Sequence, residues 1–137
     1  MMESLIKIIE KTSNLLEGNY VPSINGSIEI CMLDTCNKDE LKTYYMENIE
    51  DKIERLSLIE MNDWRKELME QFSFFVVINQ LSQNFINEFN DAIACIEDNI
   101  SVLAIQTQPQ RYHSFMLKEY LIKFDQNQYL FIMDILP

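Results

Sequence analysis

The only histidine of this 137-residue chain is His113, set in Gln110-Arg111-Tyr112-His113-Ser114. These residue types could do acid–base or nucleophilic chemistry, with His113 as a general base and Tyr112 or Ser114 as its neighbour. On an extended chain, however, adjacent side chains point to opposite faces, so His113 and Ser114 would not face each other. The segment therefore reads as a polar loop leading into a strand. A small enzyme with its site near His113 is kept as an alternative.

Carboxylates offer the next chemistry. Asp39 with Glu40, Glu50 with Asp51, and Glu97 with Asp98 are adjacent pairs. Paired carboxylates do acid–base work when burial drives their pKa values apart. Here they fall on the polar sides of predicted helices, where both partners stay solvated and ionised. No Asp-x-Asp ladder followed by glycine marks a calcium loop. Cys31, Cys36 and Cys95 are odd in number, which fits a reducing compartment, and the first two are not at zinc-knuckle spacing. They read as free thiols. With only two glycines there is no phosphate-cradling loop. The residues thus assign no catalytic group, metal or cofactor, and the chain reads as non-enzymatic.

Charge is more informative. Twenty-two acidic residues face eleven basic ones, a formal net charge of −11, and the pI is near 4.4. Direct binding to nucleic acid is disfavoured, because affinity there comes mainly from Lys and Arg neutralising phosphate. An anionic membrane surface is disfavoured for the same reason. A partner protein with a basic surface is allowed, and its approach would be electrostatically steered. Between Lys66 and Arg111 there is no basic residue at all.

The sharpest local feature is an acidic row. On a helix running from Asn37 past Leu56, Glu40, Glu47, Asp51 and Glu54 fall opposite the apolar stripe of Leu41, Tyr45, Ile49, Ile53 and Leu56. Such a row is either a solvated helix back or a set of carboxylates presented to a partner's Lys and Arg. Lys42, Lys52 and Arg55 flank it and partly neutralise it. Tyr44 and Tyr112 are further candidates for a binding surface, since tyrosine is enriched at interfaces.

These residues need elements to position them. Leu5, Ile8, Ile9, Thr12, Leu15 and Leu16 repeat at helical spacing and predict a helix over 3–17, with Gly18 as its C-cap. Its charges and the lack of a small-residue cleavage site argue against a signal peptide, and no run approaches the roughly 18 apolar residues of a membrane span. The expected compartment is the cytoplasm. Asn25-Gly26 predicts a hairpin turn before a strand at 27–33. Asn37 and Glu40 predict a capping box for the second helix, and Ser57 with Glu60 a second box where it restarts. Phe72–Ile78 suits a buried strand as well as a helix, but no Gly or Pro interrupts 63–98, so helix is preferred throughout, apolar nearly all round and buried at 72–78. The period then changes to two, predicting strands at 101–107, 114–124 and 128–136 with a hairpin at 125–128.

The expectation is a single α+β domain over 1–137, with amphipathic helices packed on one face of a small, mainly antiparallel sheet. The expected function is a non-enzymatic acidic module that binds another protein, such as an immunity or inhibitor protein blocking a basic toxin or nuclease. Its expected contact residues are Glu40, Glu47, Asp51, Glu54, Tyr44 and Tyr112. An adaptor or chaperone for a secreted protein is the alternative within the binding class.

Overall fold

The computed structural model describes residues 2–18, 25–34, 37–49, 52–97, 99–109 and 115–136. In chain order its elements are α1 (Glu3–Gly18), β1 (Asn25–Leu33), α2 (Lys38–Asn48), β2 (Arg55–Glu60), α3 (Trp64–Ile78), α4 (Gln83–Ala94), β3 (Ile100–Gln108), β4 (Met116–Phe124) and β5 (Asn127–Leu136). The fold is α+β, as expected. All strand pairs are antiparallel, in the order β1-β5-β4-β3-β2. β4 and β5 meet at the two residues Asp125 and Gln126. Asp125 takes a left-handed φ of 53°, a conformation aspartate tolerates better than most residues.

Strand alternation divides the buried residues into two cores. From β5, Tyr129, Phe131, Met133 and Ile135 enter the larger core, whereas Leu130 and Ile132 enter the smaller one. α1, α3 and α4 close the larger core with Leu5, Ile8, Ile9, Leu68, Phe72, Phe75, Ile86, Phe89 and Ile93. Phe72 and Phe89 stack across α3 and α4 with ring centroids 4.0 Å apart. Three helices thus share one face of the sheet. α2 packs on the other face, where Leu41 and Tyr45 meet Leu56, Ile105, Leu121, Leu130 and Ile132. No helix among the described residues is long and apolar enough to cross a membrane.

Five sequence expectations need correction. The second helix does not run through Leu56: it ends at Asn48, and Arg55–Glu60 is an edge strand. β2 pairs with β3 from Arg55↔Gln108 to Glu60↔Leu103, and a helix there would leave the outer edge of β3 bare. Ile53 and Leu56 still reach the small core, which is why their spacing mimicked a continued helical stripe.

The expected single helix over 63–98 is two helices. Gln80 has φ 58° and breaks the path without a glycine, and Ser82 caps α4 by accepting the Asn84 N–H. Segment 72–78 is helical, but it is not buried all round: Phe74 is 43% and Val77 65% exposed.

Asn25-Gly26 is not a turn. Both residues lie in the β1–β5 ladder, opposite Leu136 and Ile135. Gly26 is needed for space: a Cβ there would lie 2.7 Å from Cγ of Asn79, with Oδ1 of the same side chain closer still. Asn79 is buried and donates to the Phe75 carbonyl at the end of α3, so it cannot easily move. Gly18, expected beyond the first helix, is its last residue, and no described glycine has positive φ.

Candidate functional site

α2 is built by its cap. Asn37 is extended (φ −138°, ψ 170°), and its side-chain oxygen accepts the Glu40 N–H at 2.9 Å. Its side-chain amide nitrogen donates to Glu40 Oε1 at 2.7 Å, so the two side chains of the expected box are joined directly and not through the Asn37 backbone N–H. Glu40 is thereby fixed in the first turn, where negative charge opposes the helix dipole. Leu41 and Tyr45, four residues apart, point into the small core and rotate the acidic side outward.

Asp39, Glu40, Thr43, Tyr44 and Glu47 line one shallow concavity on that outer side. Tyr44 is half-buried, with its hydroxyl 3.8 Å from the Cys31 sulfur. Burial, reinforced by the thiol, pushes the phenol up to about 12, so it stays protonated at neutral pH. Burial also raises the Cys31 thiol. Met46, 40% exposed, lies on the same helix.

The structure therefore brings together Glu40, Tyr44 and Glu47. It does not bring Glu54 to them along a helix line. Glu54 lies off α2, exposed, and its N–H extends the β2–β3 ladder to the Gln108 carbonyl at 2.7 Å. The four-carboxylate row is thus not one helical face. Asp51 and Tyr112 fall outside the described residues, as do Arg111, His113, Ser114 and Cys36.

Sequence reasoning missed a second group of polar residues. Among the described residues the β3–β4 register runs from Ile100↔Phe124 to Ala104↔Tyr120. Ile105–Gln108 follows β2, and Met116–Glu119 follows β5. A cavity of about 360 Å³ is bounded by Ala104–Gln108, Leu117–Tyr120, Ser57 and Glu67.

Glu119 is buried at 6% exposure, and Tyr45 donates its hydroxyl to Oε2 at 2.7 Å. Tyr120 donates to Glu67 Oε2 at 3.0 Å, and burial together with that carboxylate raises its pKa above the usual phenol value. The arrangement can accept hydrogen bonds and offset positive charge. One signal for it was available: period two places Glu119 on the same face as Leu117 and Leu121, an ionisable group in an otherwise apolar row.

A third feature is apolar. Phe74, Val77 and Phe115 are exposed, and the Phe74 and Phe115 rings lie 6.3 Å apart and nearly parallel. Comparison of the chain with protein families, curated proteins and solved structures finds no match to any of them.

Proposed function

We propose that this protein is a non-enzymatic acidic module that binds another protein through a basic surface on that partner. It would act as an immunity or inhibitor protein blocks a basic toxin or nuclease, in the cytoplasm. The placement of the carboxylates supports this reading. Apart from Glu119 and Asp134, every described Asp and Glu is exposed or half-buried, on a chain with net charge −11. The α2 concavity adds a specific contact point, because it sets Glu40 and Glu47 around a half-buried tyrosine. Aromatic anchors rimmed by charge suit a protein interface, where the charges act chiefly on encounter and the aromatic on residence.

Capture from a host lysate tests the proposal, run at ionic strengths of about 0.01 M and about 0.15 M, where the Debye length falls from about 30 to about 8 Å. The expected result is a basic protein held more strongly at low salt and lost when Glu47 is reversed. Capture that ignores both salt and reversal would reject it. The exposed Phe74, Val77 and Phe115 favour a second reading, an adaptor or chaperone for a secreted protein. That reading predicts salt-independent capture that is lost in Phe74→Ser/Phe115→Ser.

A further inference from the structure

From Gln71 to Asn87 the chain carries no charged residue, although 24% of its residues are charged. Burial explains only part of that run. Phe72, Phe75, Val76 and Ile86 enter the larger core, but Phe74, Val77, Gln80, Ser82, Gln83 and Asn84 are exposed. The exposed positions lie on the second half of α3, the turn after it and the start of α4, all of them among the described residues. On the helical period, Glu70, Phe74 and Val77 form one stripe, on the side of α3 turned away from Leu68 and Phe72.

Charge is distributed unevenly along α3. Arg65, Lys66, Glu67 and Glu70 lie in its first half, and its second half has none. α4 opens with no acidic residue in its first turn, at a helix end that carries partial positive charge. Two copies of α3 packed antiparallel about a two-fold axis would set Phe74 of each against Val77 of the other. In the same register Glu70 approaches the start of α4 in the second copy, and no carboxylate meets a carboxylate. A parallel pairing would stack Glu70 on Glu70, and a basic partner would find no carboxylate opposite Val77. The stripe is thus self-complementary, as a two-fold contact requires. It also has the aromatic, charge-depleted character of an interface centre.

We propose that two copies of this chain associate through the outer side of α3, as a two-fold antiparallel helix pair centred on Phe74 and Val77. α2 packs on the opposite face of the sheet, so both acidic concavities stay open in the dimer. The dimer stands apart from the protein-binding reading and needs no other partner. Where both hold, the assembly is a bivalent module, and a target with two basic sites is bound more tightly through linkage.

The test uses the full chain and sedimentation equilibrium from about 1 µM to about 1 mM protein. It is run at ionic strengths of about 0.01 M and about 0.15 M. The expected result is a monomer–dimer equilibrium that shifts to dimer at the higher salt, because screening weakens repulsion between copies of net charge −11. Capture of a basic partner responds to salt in the opposite direction. Val77→Glu puts a charge into the contact at a position exposed in the monomer. It should leave the circular dichroism spectrum of the dilute protein unchanged and raise the dimer dissociation constant at least about tenfold. Val77→Ser, a milder change at the same position, acts in the same direction, and Val77→Ile keeps the dimer. Mixing copies labelled at the Val methyls with unlabelled copies should give an intermolecular NOE between Val77 and the Phe74 ring.

Three results would overturn the dimer. One is a chain that stays monomeric over the whole range at both salts. Another is a dimer that survives both Val77→Glu and Val77→Ser. The third is a dimer whose intermolecular NOEs leave out Phe74 and Val77. A monomer that captures a foreign protein, and loses it on Val77→Glu, assigns the stripe to that protein, and the dimer falls. In all these cases the acidic reading of α2 is untouched, because salt-sensitive capture and Glu47 reversal decide it separately.

Discussion

On one face of the sheet, three helices bury an aromatic core in which Phe72, Phe75, Phe89 and Phe131 are fully enclosed. On the other, α2 alone covers the strands, contributes two buried residues, and shares its core with the carboxylate of Glu119. The first face is redundant: α1, α3 and α4 each bring several apolar side chains to it. The second core is smaller, and the α2 concavity and the cavity beside Glu119 both adjoin it. The two faces are thus packed differently, and changes on each should have different consequences.

The largest effect is expected in the aromatic core. Phe72→Ala removes one ring of the 4.0 Å stack at a fully buried position and should cost about 3–5 kcal/mol of folding free energy, measured by denaturant unfolding. Native-state hydrogen exchange should also separate the faces, with α2 amides opening at lower free energy than those of α3 and α4. Uniform protection of all three helices would contradict the comparison.

Gly26 tests the close approach of β1 to the end of α3. Gly26→Ala should cost about 1–3 kcal/mol through overpacking against Asn79. In the Asn79→Ala background the same change should cost clearly less, so a double-mutant cycle should show coupling. On the opposite face, Tyr45→Phe removes the hydroxyl that donates to Glu119 and should destabilise by about 1–3 kcal/mol. Adding Glu119→Leu to that variant should recover part of the loss.

A smaller effect concerns Tyr44. Its folded pKa is raised from 10.0 to about 12, so its contribution to stability is complete below about pH 10 and is lost as pH rises through about 12. In an absorbance titration, wild type should lack at least two tyrosines ionising near 10, Tyr44 and Tyr120, that reappear on unfolding. Tyr44→Phe should reduce that difference by one tyrosine.

The elements of the redundant face were the most legible from sequence. α1, α3 and α4 carry clean apolar stripes, and β3, β4 and β5 alternate clearly enough to be placed within a residue or two. Segment 55–60 was misread because Ile49, Ile53 and Leu56 keep a spacing that suits a helix, although residues 53 and 56 reach the core from a loop and a strand. Its strand character is set by the exposed edge of β3, a tertiary fact with no local signature. The break at Gln80 was hidden because a non-glycine residue occupies the left-handed conformation. Asn25-Gly26 misled in the opposite direction: its glycine answers to the side chain of Asn79, far along the chain.

The candidate site divides in the same way. Glu40, Tyr44 and Glu47 follow from the capping box and the helical period. The cavity beside Glu119 does not, because its lining comes from four elements far apart in sequence.

The central claim is that the acidic side of α2 steers a basic partner. Glu47→Lys combined with Glu40→Gln reduces the acidity while leaving an acceptor for Asn37 in the capping box. Folding should change by about 1 kcal/mol or less, most of it from the Glu40 charge lost at the helix N-terminus. The deciding measurement is the association rate with the captured partner, for wild type and this double variant, at low and moderate salt. The account predicts a rate reduced about tenfold at low salt, with the two proteins converging as salt rises. Equal on-rates at both salts would contradict it and would leave the carboxylates of α2 a role in hydration alone.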